Sequence, residues 1–141
     1  MASALLDTGP VVALINRADA HHPAAVEFFQ RFRGQLWSTE AVLTEVAYVL
    51  APSLTHQTAA LPWLERSVDA GFLRFEGMSD LSRVATLLTK YADLPADFAD
   101  VSLVWLAQQK RIDKVVTVDE RDFAVYRSYA GKPFKNLFAS I

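Results

Sequence analysis

The chain has no cysteine. That excludes a disulfide scaffold, a thiolate metal site and a cysteine nucleophile. No apolar stretch approaches the length of a membrane span. No charged region precedes the short run Leu5-Leu6, and Asp7 breaks that run, so nothing at the start resembles a signal peptide. A cytoplasmic location, with no membrane association, is the resulting expectation. Low-complexity segments and internal repeats are also missing.

What is present suits one globular domain spanning 1–141, long enough to bury a real core, with 52% hydrophobic and 11% aromatic residues. The net charge of −2 hides an asymmetry. Lys110, Arg111, Lys114, Arg121, Arg127, Lys132 and Lys135 are half of the 14 basic residues and fall in the last third of the chain. Such a segment beside acidic groups can accept a phosphate backbone locally, although spacing this loose equally suits a solvated surface.

Helices and short strands alternate along the chain. Ser3–Asp7, Gln35–Ser38, Phe72–Phe75 and Val115–Asp119 read as buried strands, and Phe134–Phe138 as a final edge strand. Helices are expected from Pro10 to Ile15, from Pro23 to Phe32, from Thr39 to Ala51, and after a Ser79 cap through Tyr91. Residues 53–71 read as a helical connector that Pro62 breaks. A further helix begins near Pro95 with Asp93 as its cap, and it carries Val101, Val104, Trp105 and Ala107 as an apolar face. The alternation predicts an α/β fold with a mostly parallel central sheet and helices on both faces.

Acidic residues recur at element ends. Asp7 and Asp119 close strands, Asp97 and Asp100 stand three apart at the start of a helix, and Glu45 lies beside the apolar stripe of its helix. Each has a plain alternative: Asp7 as a helix cap, Asp97 and Asp100 as an acidic first turn, Glu45 as a boundary residue. Together they deliver carboxylates to one sheet edge, where strand C-termini meet helix N-termini. Gathered carboxylates repel one another unless a divalent cation lies among them. Oxygen ligands alone suit Mg²⁺ or Mn²⁺ rather than Zn²⁺, and point to metal-assisted phosphodiester hydrolysis. His21 and His22 read as exposed residues ahead of a helix, not as bases.

The order Leu5-Leu6-Asp7, Glu45 on a helix, Asp97-Phe98-Ala99-Asp100-Val101, then Thr117-Val118-Asp119-Glu120-Arg121-Asp122-Phe123 resembles the PIN domain, and in particular the VapC-type toxins. The resemblance covers nearly the whole chain. It implies a three-layer α/β/α sandwich and a Mg²⁺-dependent endoribonuclease for single-stranded RNA, dimeric and silenced by a small antitoxin. On that resemblance Asp7 and Asp100 hold the metal most directly, Glu45 and Asp119 complete the acidic quartet, and Asp97 is an accessory ligand. Thr117 and Asp122 are supporting or structural, and Thr8 matches a small hydroxyl position. Val101 departs from the commoner Ala, which touches packing more than chemistry.

A pocket this acidic would admit an Arg or Lys from a partner segment. The expected groove for that segment runs between Val42, Val46 and Val49 on the Glu45 helix and Val11, Val12 and Ile15 on the first helix. Two other acidic-pocket folds fit poorly. An aspartyl phosphatase needs an acid where Gly9 stands, and a receiver domain has no place for the Asp100 helix. A PIN-like module that binds RNA or protein without cutting, or a housekeeping RNA-processing nuclease, are the alternatives.

Overall fold

Strand β1 (Ala2–Leu6) occupies the middle of the sheet in the computed structural model, which describes residues 2–95 and 97–138. Its sequence explains that place: Ala4, Leu5 and Leu6 are buried one after another, as befits a parallel strand covered on both faces. β1 pairs in parallel with β2 (Gly34–Thr39) on one side and β4 (Lys114–Val116) on the other, so Leu5 faces both Trp37 and Val115. β3 (Leu73–Glu76) and β5 (Lys135–Asn136) form the edges, giving the all-parallel order β3-β2-β1-β4-β5. Helices cover both faces in the expected three-layer α/β/α arrangement.

The chain winds outward from β1 to β2 and β3, then returns to lay β4 and β5 on the opposite side. The winding direction reverses between β1 and β4. In open parallel sheets that reversal leaves a crevice at the strand C-termini.

The helices are α1 (Thr8–Ile15), α2 (His22–Arg31), α3 (Glu40–Leu50), α4 (Leu54–Asp69), α5 (Leu81–Lys90), α6 (Phe98–Lys110) and the short α7 (Glu120–Val125). α6 differs from expectation. Residues Ala99 to Ala107 are all buried, so it has no solvent face through that stretch. Leu103, Val104, Trp105 and Leu106 lie inside the core, and burying each contributes about 1.5–3 kcal/mol. Asp97, not Asp93, caps this helix, accepting the Asp100 amide at 2.8 Å, and Pro95 falls in the preceding turn. Asp80 rather than Ser79 caps α5.

Pro62 does not break α4, which runs unbroken for 16 residues. Pro62 and Thr58, whose carbonyl loses its partner, are both exposed, while Ala60, Leu64 and Ser67 anchor the opposite side. The fourth strand ends at Val116, three residues earlier than expected. The Asn136 side chain completes it instead, accepting from the Thr117 amide at 3.2 Å and donating to the Thr117 carbonyl at 3.0 Å.

Candidate active site

The crevice at the β1/β4 reversal is the place where the acidic residues meet. Asp7 is the first residue beyond β1, and its amide donates to the Val116 carbonyl at 3.0 Å. Its side chain makes no capping bond to α1. It turns across the crevice, where Oδ2 accepts the Thr117 hydroxyl at 2.7 Å. Oδ1 is buried with no hydrogen-bond partner. The Thr117 hydroxyl also accepts the Asp119 amide at 2.9 Å, so one residue registers both strand-end acids.

Gly9 allows that approach. A Cβ at this position would run into Val118, whose Cγ1 and Cβ would lie only 3.2 and 3.3 Å away. The turn carrying Asp119 therefore packs directly on the backbone of α1. Asp119 caps α7 by accepting the Asp122 amide at 3.1 Å, which brings Asp122 to the same side.

The remaining acids are positioned from β2. At its end Thr39 caps α3 through the Val42 amide, and its hydroxyl shares a 2.7 Å hydrogen bond with Ser102 of α6. This buried link ties α3, which carries Glu45, to α6, which carries Asp100. Asp100 sits in the first turn of α6, buried, with Oδ2 accepting the Tyr126 hydroxyl at 3.2 Å. The result is a cleft of about 440 Å³ lined by Asp7, Glu45, Asp97, Asp100, Asp119 and Asp122, with Asp19 and His21 at one wall. Among the described residues no Lys or Arg lines it.

Residues 4–128 match the PIN domain family. The chain belongs to that family. Ribonuclease VapC26 of Mycobacterium tuberculosis is 26% identical over 130 residues, which is 92% of this chain and 96% of that protein. Two crystal structures share the fold. VapC20 of Mycobacterium tuberculosis, described as a toxin that cleaves the sarcin–ricin loop, superposes with a TM-score of 0.71 at 19% identity, over 84% of this chain and 91% of its own. PAE2754 of Pyrobaculum aerophilum superposes with a TM-score of 0.55 at 18% identity, over 93% of this chain and 87% of its own.

The electrostatics of this PIN domain follow from crowding like charges in a partly dry cleft. Burial, then the charges of Asp7 and Asp97, push Asp100 from 3.8 up to about 8, against the opposing Tyr126 hydrogen bond. Glu45 rises from 4.5 to about 7 through burial and its close carboxyl contact with Asp97; the nearby Thr8 hydroxyl, which makes no well-aligned hydrogen bond, offsets part of this. Asp7 is also raised by burial, and the Thr117 bond opposes the rise. Burial and Asp119 raise Asp122. The Tyr126 hydroxyl is held protonated by its own burial and by Asp100, so it stays a donor.

The residues fit a hard divalent cation. Asp100, Asp119 and Asp122 each offer a carboxylate oxygen within 4.8 Å of the others. Asp7, whose Oδ1 is buried and unpartnered, lines the same cleft, and every donor of the Asp100/Asp119/Asp122 group is oxygen. The structure brings Asp122 into this group, although the resemblance gives it a supporting or structural role. Its signal is the Asp119-x-x-Asp122 spacing, which puts both acids at the start of one short helix. His21 and His22 are half-buried rather than exposed: His21 lies at the cleft wall near Asp19, and the His22 ring bonds the Ala13 carbonyl at 2.7 Å.

Most walls of the expected partner groove are buried, although Val12 and Val49 line the acidic cleft. Val42 and Val46 are buried in the core, as are Val11 and Val12, and only Val49 of that α3 set is exposed. An apolar groove of about 690 Å³ lies instead between α3 and the start of α6, walled by Ala41, Tyr48, Met78, Phe98 and Ala99. It shares Glu45 and Asp97 with the acidic cleft.

Proposed function

We propose that this PIN domain is a Mg²⁺-dependent endoribonuclease that cuts single-stranded RNA, acting in the cytoplasm as the toxin of a toxin–antitoxin pair. The observation that carries the reading is the cleft at the β1/β4 reversal, in which acids from four elements converge with no Lys or Arg among the described lining residues. Like charges so arranged favour an external cation and disfavour bare anions. The kinship to VapC26 and the fold shared with VapC20 support ribonuclease and toxin roles.

Asp100, Asp119 and Asp122 are the residues that would hold the cation, with Asp7 beside them and Glu45 and Asp97 as accessory acids. When bound, a divalent cation supplies charge neutralisation at a phosphodiester and acidifies a water. The protein's own part is positional. Thr117 aims Asp7, and Tyr126 fixes the rotamer of Asp100. Glu45, with its raised pKa of about 7, is suited to exchange a proton at working pH. The cleft is open enough for an unpaired strand whose phosphate must enter beside the acids, and a stiff duplex presents that phosphate poorly.

An antitoxin segment would lie in the α3/α6 groove against Tyr48 and Phe98, which are 80% and 48% exposed, and extend an Arg into the adjoining acids. Such a plug would compete with metal and substrate alike.

The decisive experiment is cleavage of labelled single-stranded and duplex RNA with purified protein. Cutting of the single strand with Mg²⁺ or Mn²⁺, lost with chelator and in Asp100→Asn, is expected. Cleavage that persists in excess chelator would overturn the mechanism.

A further inference from the structure

A second cavity lies behind the acidic cleft, between α5, α6 and the 3-10 turn Tyr129–Gly131. It measures about 340 Å³ and is lined by Arg83, Lys90, Arg111 and Arg127, together with Gln108 and Tyr129. No carboxylate lines it, and no ion pair among the described residues involves any of the four cations. In a chain with 16 acidic and 14 basic residues, that concentration of unbalanced positive charge is conspicuous.

The cations are held in place by neutral partners, so their charge is not cancelled. Arg83 donates from Nε and one terminal nitrogen to Gln108 Oε1 at 3.2 and 2.9 Å. The Arg111 guanidinium lies 4.6 Å from the Tyr129 ring centre, and Lys90 lies 5.3 Å from that of Tyr91. Arg127 donates to the carbonyls of Ala124, Val125 and Tyr126. Arg83, Lys90 and Arg111 are exposed and Arg127 is half-buried, so water screens part of their mutual repulsion, and an anion entering from solvent relieves the rest.

The cavity is connected to the cleft. Tyr126 donates to Asp100 on one side and packs edge-on against Tyr91, 4.9 Å away, on the other. The Tyr91 hydroxyl accepts the Arg127 amide at 3.0 Å. One aromatic layer thus separates acids from bases. Arg111, which caps the far end of α6, stands eleven residues from Asp100, or about 16 Å along the helix axis.

We infer that the Arg83/Lys90/Arg111/Arg127 cavity is a backbone-phosphate subsite, gripping RNA a few nucleotides away from the bond presented to the acidic cleft. The inference rests on the ribonuclease reading above. It also answers a difficulty in that reading, because a cleft of acids repels every phosphate of the strand except one facing the cation. Binding energy for a long substrate must come from elsewhere. Arg forks match phosphate oxygens in a way that Lys alone does not, and three of the four cations are Arg.

The test uses the full chain and a single-stranded RNA of about 20 nucleotides, longer than a typical single-strand site. Affinity is measured by fluorescence anisotropy across a salt series in excess chelator, so that cutting is blocked. The variant R83Q/K90Q/R111N spares Arg127, which closes α7, and Asn suits the left-handed backbone at Arg111. We expect at least about tenfold weaker binding and a salt slope smaller by about two, at about 0.7 per lost phosphate contact. With Mg²⁺, cleavage of a dinucleotide should be unchanged, since its single phosphate cannot lie in both sites. The charge-keeping variant R83K/R111K should retain the wild-type slope.

An unchanged slope and affinity in the triple variant overturn the subsite. So does an equal loss on short and long substrates, or wild-type protein that binds no RNA. Weakened binding to an acidic antitoxin segment, with RNA affinity intact, would assign the cavity to a protein instead. If the wild type binds RNA but does not cut it, and the variant loses that binding, the ribonuclease reading fails while the subsite stands.

Discussion

Thr117 and Asp7, 110 residues apart in sequence, are joined by a buried 2.7 Å hydrogen bond. Because the same hydroxyl accepts the Asp119 amide, it sets the spacing between the acids that end β1 and follow β4. Thr117→Val keeps the shape and removes both bonds. It should cost about 1–3 kcal/mol of stability, since it leaves polar groups unpaired in a buried place. RNA cleavage should fall at least about tenfold, in line with the loss of a supporting partner at a metal site. Thr117→Ser should behave as wild type. A urea melt and a cleavage time course read both effects, and full activity in the Val variant would count against a positioning role.

Neutralising an acid in the cleft should separate activity from stability. Asp100 is raised to about 8 in the folded protein, against an ordinary 3.8, so folding favours its protonated form. The stability it contributes is complete below about pH 4 and is lost as the pH rises through about 8. Glu45, raised to about 7, acts in the same direction. Metal-free protein should therefore melt at a lower temperature at about pH 9 than at about pH 5, and Asp100→Asn should flatten that dependence. Asp7→Asn and Asp100→Asn should melt level with or above wild type without metal, yet lose cleavage. Scanning fluorimetry across pH, with and without Mg²⁺, is the measurement.

Asp122 offers a sharper discrimination. Its carboxylate lies with those of Asp100 and Asp119, whereas a structural role would need only its amide bond to Asp119. Asp122→Asn keeps the amide. A metal ligand lost in this way should weaken Mn²⁺ binding about tenfold or more by calorimetry. Unchanged affinity would return Asp122 to a structural role.

Gly9→Ala should damage the site through packing alone. The new methyl meets Val118, a stiff β-branched side chain next to Asp119. Cleavage should drop while the overall fold persists, and the double variant G9A/V118A should recover much of the loss. Failure of the double variant to recover would show that the glycine matters for another reason.

Inhibition should depend on a basic side chain of the antitoxin. Most affinity would come from apolar contacts with Tyr48 and Phe98, and the Arg entering the acids would block the chemistry. Replacing that Arg by Ala should weaken inhibition more than binding. A complex that remains fully inhibited after the replacement excludes the plug.

Much of this fold was legible because a central parallel strand has a distinctive signature. Ala4-Leu5-Leu6 and Val115-Val116 are continuous apolar runs, as expected of strands buried on both faces. The acids stood out for a related reason: Asp7, Asp97, Asp100 and Asp119 are charges at the ends of apolar elements, and Glu45 borders the apolar stripe of its helix. Other features depend on three-dimensional context. Pro62 reads as a breaker, yet on the exposed side of α4 the missing hydrogen bond is tolerable. α7 has six residues, too few to display a helical period, so the Asp119-x-x-Asp122 spacing was the one mark of where Asp122 lies. Val11, Val12, Val42 and Val46 were expected to wall a groove and are buried instead, because periodicity identifies an apolar stripe without saying which element will cover it.

The strand order β3-β2-β1-β4-β5 carries a consequence in time. Asp7 leaves the ribosome more than a hundred residues before its neighbours in the cleft, Asp119 and Asp122. At about 5–20 residues per second that interval is roughly 5–20 s. Throughout it, the growing chain has one wall of the crevice and lacks the other. The acidic site is therefore not assembled during synthesis until Asp122 has been made, and a partner that binds the first wall has that interval in which to engage it.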